Sequence, residues 1–521
     1  MAFTMSVAEL IGADTSGLLG SHASWERVPL AEVALVLNGA PFNSALFSGT
    51  EGTPLVRIRD VIAGTTSTYY TGPYEDIHLV RAGDLLVGMD GDFHSGFWRA
   101  QEALLNQRVC KITTNDALYD ARLLSLLLPG YLSAINANTP SVTVKHLSSR
   151  TIESIDLPLP PRAEQARIVA KLEELLSELN AGVAELKAAQ RKLARYRQSL
   201  LKAAVEGALT AEWRQLHTPA ESGAQLLERI LVERRARWEA KQLAKFKEQG
   251  KIPPKDWQQK YPEPVKPDIT NLPELPAGWV WASVDELCEF VRNGISKTPN
   301  TSQQGFRIFK INAVRQMAVN FSAVKHIELT DKEAEDYCVE VGDVLATRYN
   351  GSVDLLGVFA MVRDVPEATL HPDKLIRMKP VLGVQSGSWM EVCGNVGASR
   401  SHLVSKVKTT AGQTGISGDD LKRTPVPLPP LKEQSVVLKH LDESLRTMHE
   451  LYVPTEIALK QATAQRQNIL RAAFAGELVP QDPNDEPASV LLERIRAERA
   501  AAAAASRPST PRAPRGRRTK A

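Results

Sequence analysis

The sequence predicts an α+β fold in which two mixed α/β modules are separated by a long antiparallel two-helix coiled coil, in pseudo-twofold repeat. Three observations predict it. Leu157-Pro-Leu-Pro-Pro-Arg-Ala-Glu-Gln165 returns 269 residues later as Val426-Pro-Leu-Pro-Pro-Leu-Lys-Glu-Gln434. Arg197-Gln-Ser-Leu-Leu-Lys-Ala-Ala-Val-Glu-Gly-Ala-Leu209 returns at the same offset of 269 as Arg466-Gln-Asn-Ile-Leu-Arg-Ala-Ala-Phe-Ala-Gly-Glu-Leu478. Between these landmarks both copies carry a heptad pattern, and neither has gained or lost a residue. The other landmarks drift. Trp25 and Trp279 lie 254 apart, Gly83-Asp84-Leu85-Leu86 and Gly342-Asp343-Val344-Leu345 lie 259 apart, and Leu226-Leu-Glu-Arg-Ile230 and Leu491-Leu-Glu-Arg-Ile495 lie 265 apart. Insertions therefore fall in the modules, where loops tolerate them, and the helical measure stays fixed.

In chain order, 1–24 is an N-terminal segment and 25–161 the first module. Its β-type runs are Pro54–Arg59, Asp84–Val87 and Arg108–Ile112, bounded by Gly, Asp or Asn. The prolines of 157–161 lack amide donors and stop any helix, so within the segment 162–209 a spacer helix runs from about Arg162 to Glu206. Its seam falls at Leu172, Leu175, Leu179, Gly182, Leu186, Ala189, Leu193, Tyr196, Leu200 and Ala203, steps of three and four that argue for a coiled coil. At ~1.5 Å per residue such a helix is roughly 67 Å long. Residues 210–277 read as charged helix to about 250, then a Pro-rich semi-rigid linker. The second module is 278–430 and the second spacer segment 431–478, with its helix running from about Leu431 to Ala475. Its weaker seam includes Leu441, Met448, Leu451 and Ile469, and Pro454 in its middle predicts a kink or break. A C-terminal helix over 479–499 and a disordered basic tail over 500–521 complete the chain.

The formal net charge is +3, but 507–520 carries five Arg and one Lys with no acid, which leaves the body at −3. Binding to nucleic acid must therefore come from local basic clusters. The four cysteines are far apart and form no CxxC, which predicts reduced cytosolic thiols and argues against a structural zinc site or a disulfide framework. No apolar run approaches the ~18 residues of a membrane span, and no GxxxxGK[ST] phosphate loop or [ND]PP[FY] tetrapeptide occurs. Glu185-Leu-Lys187 and Glu239-Ala-Lys241 have nuclease-like spacing but lie on charged helices, and read as solvent-facing.

Both modules carry clusters suited to duplex DNA, with cations for phosphates and polar groups for base edges. In the first they are Arg57 and Arg59; His94 and Ser95; and Thr139, Ser141, Thr143 and Lys145. In the second they are Lys310 and Asn312; Arg348, Asn350 and Ser352; Arg400 and His402; and Gln413 and Thr414, a run aligned with Thr139–Thr143 at offset 274. Taken singly, each is more simply a solvated or salt-bridged side chain. Trp25 and Trp279 read as packing aromatics, and the Gly-Asp turns as structural.

The doubled Pro-Leu-Pro-Pro-x-x-Glu-Gln start and Arg-Gln-x-Leu/Ile-Leu helix end resemble the specificity (S) subunits of type I restriction–modification systems, and the resemblance spans about 25–499. It implies that 25–161 and 278–430 are target recognition domains, each reading half of a split double-stranded DNA sequence. It also implies that the helices set the gap and dock two methyltransferase (M) subunits, with restriction (R) motor/nuclease subunits joining. This chain then binds no cofactor and has no catalytic residues or metal; S-adenosylmethionine, ATP and Mg²⁺ serve the partner subunits. A rival from another class is a scaffold that presents two modules to protein partners without touching DNA.

Overall fold

The computed structural model describes residues 6–140, 144–300, 303–410 and 413–505. The chain divides into two units, one of residues 1–187 with 456–521 and one of 188–455.

In the first unit the central antiparallel sheet runs Ala34–Asn38, Val109–Thr114, Leu85–Gly88, His94–Phe97. Leu85 and Val87 join the main core, whereas Leu86 points into a second cluster with Val56, Val80 and Trp98. That is the period of two expected of a strand buried on both faces. Gly83 takes φ 97°. Asp84 then accepts the Arg81 amide at 2.7 Å and pairs with Lys111 at 3.4 Å. Expected strand 54–59 is shorter: Thr53–Val56 is extended, and Arg57 then starts a 3₁₀ turn, Ile58–Asp60. The Asp60 carboxylate accepts the Arg57 amide at 2.9 Å and so ends the strand.

The second unit repeats this plan as Cys288–Asn293, Leu375–Pro380, Val344–Thr347, Phe359–Met361. Gly342 takes φ 92°. Asp343 accepts the Glu340 amide at 2.7 Å and the Arg377 guanidinium at 2.6 Å. In each unit the stretch after the tryptophan pairs antiparallel with the Pro-rich repeat, Glu26–Pro29 on Asp156–Leu159 and Val280–Ser283 on Pro425–Leu428.

The spacer helices are Arg162–Val205 and Leu431–Phe474, 44 residues each. In the first unit Leu172 and Leu176 share a core with Ala473 and Phe474, and Arg466 donates to Asn180 at 3.2 Å. In the second, Leu200, Leu201, Ala204 and Val205 share a core with Leu441 and Met448, and Gln190 donates to Thr455 at 3.1 Å. Leu175, Leu179, Leu186, Leu193 and Ile469 are half-buried. Tyr196 and Leu451 depart from the expected seam, 57% and 56% exposed. A straight helix drifts about 20° per heptad from a strict 3.5-residue track, so a stripe set at Leu172 has rotated off the contact by Tyr196, and Leu201 takes its place. Helix Leu431–Phe474 is not broken at Pro454. Pro454 is exposed, so the carbonyl it strands is left to water, and the Thr455 hydroxyl bonds Tyr452 O at 2.7 Å.

The segments after the helices differ most from expectation. Residues 210–250 are two helices, Ala211–Leu216 and Gly223–Glu248, the latter started by a Ser222–Gln225 capping box. Leu226 and Ile230 are buried in the second unit. The Pro-rich stretch is docked, not a free linker: Tyr261 is buried, the Val265 amide bonds Asp285 at 3.0 Å, and Ser283 bonds Val265 O at 2.5 Å. The C-terminal helix is Ala488–Ala505, with Leu491, Leu492 and Ile495 on the first unit's core. It begins later than 479 and continues through the alanines expected to be disordered from 500, because alanine is the strongest helix former. The basic tail from 506 lies outside the described residues.

Candidate nucleic-acid interface

Each unit gathers polar side chains at equivalent places of its fold. In the first, the 3₁₀ turn brings Arg57, Ile58 and Arg59, and the stretch after strand Leu85–Gly88 brings Asp90, Asp92 and His94. With Ile62 they line a cleft of about 450 Å³. Arg57 and Arg59 are both exposed; Arg59 also donates to Thr68 at 3.3 Å. Asp90 is already engaged, bonding His146 Nδ1 at 2.6 Å and Arg108 at 3.2 Å, and so fixes an imidazole and a guanidinium beside the cleft. An isolated antiparallel bridge ties Asp90 to His146.

The other expected residues of this unit do not join the cleft lining. The Ser95 hydroxyl is buried with no bonding partner among the described residues. Thr139 closes a helix end by donating to Ile135 O at 2.7 Å. Lys145 clamps the same end through Asn136, at 2.5 Å to O and 3.1 Å to Oδ1. Ser141 and Thr143 lie outside the described residues.

In the second unit Lys310 starts the 3₁₀ turn Ile311–Ala313 where Arg57 starts its own, and Lys310 and Asn312 are exposed. The stretch after strand Val344–Thr347 carries Arg348, whose guanidinium lies 4.8 Å from the Tyr349 ring centroid; Lys374 lies 4.9 Å from the same ring. Tyr349 bridges to Gly415 as Asp90 bridges to His146. This bridge sets Asn350 and Ser352 beside the two-stranded ribbon Lys408–Thr410/Gln413–Gly415: Asn350 N donates to Thr414 O at 3.2 Å, and Asn350 Oδ1 accepts Ser352 N at 3.1 Å. Thr409 and Thr414 hydroxyls pair at 3.2 Å. The side chain of Gln413 lies outside the described residues. A two-stranded polar ribbon is one of the elements that a major groove admits.

The bridges also correct the alignment of the two loops. His146 answers to Gly415 and the helix cap Ser148 to Ser417, an offset of 269 in place of 274. Thr414 is therefore the counterpart of Lys145, not of the 139–143 run. Arg400 and His402 stand apart from the ribbon. Arg400 braces a loop by donating to the carbonyls of Leu356 and Asp354, and burial lowers its pKa. His402 lines a different cleft of about 970 Å³ with Lys202, Lys266 and Arg423, and burial lowers its pKa too.

Sequence reasoning missed Tyr349, Lys374, Arg108 and His146. Tyr349 was within reach, since the Gly-Asp offset of 259 carries Asp90 onto it. Lys374 was not, because it reaches the ring from a loop 25 residues away. Among the described residues no group of His, Cys, Asp and Glu could hold a metal ion.

A Trp–Glu corner anchors each interface to its spacer helix. Trp25 Nε1 donates to Glu164 at 3.0 Å, and Trp279 Nε1 to Glu433 at 2.9 Å. The adjoining glutamines tie the Pro-rich turn, Gln165 to Pro160 O and Gln434 to Pro429 O, both at 2.9 Å. The repeated Glu-Gln pair thus ties the tryptophan and the Pro-rich turn of each unit to the start of its long helix.

Residues 23–187 match the family model described as the type I restriction modification DNA specificity domain. The EcoBI specificity subunit of the type I restriction enzyme of Escherichia coli is 33% identical over 513 residues, covering 96% of this chain and 98% of that one. The EcoKI specificity subunit of Escherichia coli strain K12 is 29% identical over 71% of this chain and 69% of its own length. A chain from a solved structure of a type I R-M system, described in terms of complex assembly and conformational transition, superposes with a TM-score of 0.51 at 17% identity. The match covers 87% of this chain and 98% of that one, a likeness of fold.

Proposed function

This chain belongs to the family of type I restriction enzyme specificity subunits, and on that premise we propose that its two units read the two halves of one gapped duplex DNA target. It is a non-catalytic subunit that supplies target recognition. The observation that carries the split reading is the equivalence of the two clusters: each unit sets a cation at the start of the same 3₁₀ turn, and a bridged polar stretch after the same central strand. Phosphate contacts supply most of the affinity, and base-edge contacts from Arg57, Arg59 and His94 on one side and Arg348, Asn350 and Thr414 on the other supply discrimination. Residues 25–161 and 278–430 are the recognition domains. The spacer helices run antiparallel, set the gap and dock two methyltransferase subunits, and restriction subunits complete the assembly in the cytoplasm. S-adenosylmethionine, ATP and Mg²⁺ enter through those partners. No described helix is long and apolar enough to cross a membrane.

Selection from a random duplex pool, with a co-expressed methyltransferase subunit, tests the reading. A split consensus is expected. Arg57→Ala with Arg59→Ala relaxes one half only, at about 1–3 kcal/mol per lost bidentate contact, and Arg348→Ala relaxes the other. A pool that enriches nothing supports the protein-only scaffold. Four residues inserted within 173–189 lengthen the gap and leave both halves unchanged; altered halves with an unaltered gap would refute the ruler.

A further inference from the structure

Resting on that reading, we infer that the distal half of helix Gly223–Glu248 and the turn that follows it form a basic spur that grips the phosphates of flanking duplex, outside the recognised bases. The charge distribution points there first. Residues 234–260 hold nine Lys or Arg against three acids, and 507–520 hold six against none. Taking these two excesses of six from the chain's +3 leaves −9 for everything else. A protein whose remaining body repels DNA must draw its long-range attraction from these two places. Both follow the same Leu-Leu-Glu-Arg-Ile run, at 226–230 and 491–495, so each unit's docking helix leads into a basic extension.

The spur is a built element. Trp257 stacks on Trp238, with centroids 5.9 Å apart at 20°, and Phe246 meets Trp257 edge-on at 6.2 Å. Tyr261 packs against Trp238 and lies beneath the Arg234 and Arg235 guanidiniums at 5.2 and 5.4 Å. These contacts fold the Pro-rich turn back on the helix. Arg237 pairs with Glu233 and Glu289, which fixes the helix to strand Cys288–Asn293. Lys241, Lys245, Lys247, Lys251, Lys255 and Lys260 are left exposed, with no salt bridge among the described residues. Lys241 and Lys245, four apart, share one helix face.

Lysine in this number suits a polyanion read without sequence. Protein interfaces favour aromatics and arginine at their centres and deplete lysine, whereas here the aromatics are spent inside the clamp. A lysine ammonium is a mobile point charge that neutralises phosphate without the fixed fork a guanidinium brings to a base edge.

The test uses the full chain with Lys241, Lys245, Lys251 and Lys255 changed to Ala, all exposed sites where alanine is a good substitute. Binding to a random 60-base-pair duplex is measured across salt concentrations, and pool selection is repeated. Each phosphate contact contributes about 0.9 to the log–log salt slope, so the slope falls by about 2 to 4 and affinity at 0.1 M salt on the order of a hundredfold, with the same selected consensus. An unchanged slope in a variant that still enriches its target overturns the spur alone. A wild-type chain that enriches nothing overturns the DNA reading beneath it. A loss of methyltransferase co-purification with an unchanged slope makes the spur a protein-docking surface, and the inference is then wrong.

Discussion

The two Trp–Glu corners are copies in sequence and different in charge. Glu433 is buried with a cation: Arg214 bonds Oε1 at 2.5 Å, Thr210 at 2.6 Å, and the guanidinium continues to Gly207 O at 2.7 Å over the Trp279 ring. Glu164 is buried with neutral donors only, the Trp25 indole and the Gln481 amide at 2.5 Å. The neighbouring Arg167 is occupied by Asp485 at 2.7 Å. Burial therefore pushes the Glu164 carboxyl above its usual range. The carboxylate and the indole are common to both corners, while the third partner differs, Arg214 in one and Gln481 in the other. Both third partners come from the chain just past a spacer helix, so each corner joins three distant stretches of its unit.

The largest contrast is expected from Arg214→Ala. It leaves Glu433 buried without its counter-charge, which costs about 3–5 kcal/mol. Hydrogen exchange at strand Val280–Ser283 reads this locally, and exchange at Glu26–Pro29 reads the first unit. Glu433→Gln in the same chain recovers part of the loss. Gln481→Ala, the matching cut in the first unit, removes one neutral donor to a carboxylate and costs about 1.5–3 kcal/mol. Equal losses from the two cuts would erase the distinction between the corners.

A second contrast lies along the helix that both units share. Leu201→Ala empties a fully buried site and costs about 2–5 kcal/mol. Tyr196→Ala, at a position 57% exposed, costs about 0.5 kcal/mol or less. Denaturant midpoints of the two variants decide between the strict heptad track and the drifted one. A Tyr196 loss as large as that of Leu201 would restore the heptad seam.

These contrasts show what the sequence could carry. The helix ends were legible to within a residue, because prolines stop the chain before Arg162 and Leu431 and the offset of 269 is constant. Strand Leu85–Gly88 was legible within the run Asp84–Val87, but its burial on both faces was not, since the two clusters that cover it come from distant stretches. The docking of 210–276 was not: a Pro-rich, charged stretch reads as linker until Tyr261 and Arg234 are seen to bury each other. For the interface, Arg57, Arg59 and His94 were found as separate runs that the fold brings into one cleft. The bracing contacts of Arg400 and Lys145 were not legible, because their partners include backbone carbonyls, which leave no trace in a residue pattern.

The smallest effect is the most specific. Glu164→Gln replaces a carboxylate that no cation bonds directly with a neutral amide that still accepts the Trp25 indole bond, and Gln481 can turn its own amide to accept from the new NH₂. Because the folded pKa of Glu164 lies above the unfolded value near 4.5, the folded state holds more protons between the two. Its contribution to stability is then fully present below the unfolded value and is lost as pH rises through the folded one. The glutamine variant lacks this titration. At pH 7 it should match or exceed the wild type in first-unit stability by up to about 1 kcal/mol, and its advantage should shrink steadily toward pH 4.5. Other carboxylates titrate equally in both proteins and cancel in the difference. Glu433→Gln should behave oppositely at pH 7, losing stability because Arg214 is then left without its carboxylate. If the two glutamine variants moved their units in the same direction, the charge contrast between the corners would be wrong, and the raised Glu164 would need a different cause.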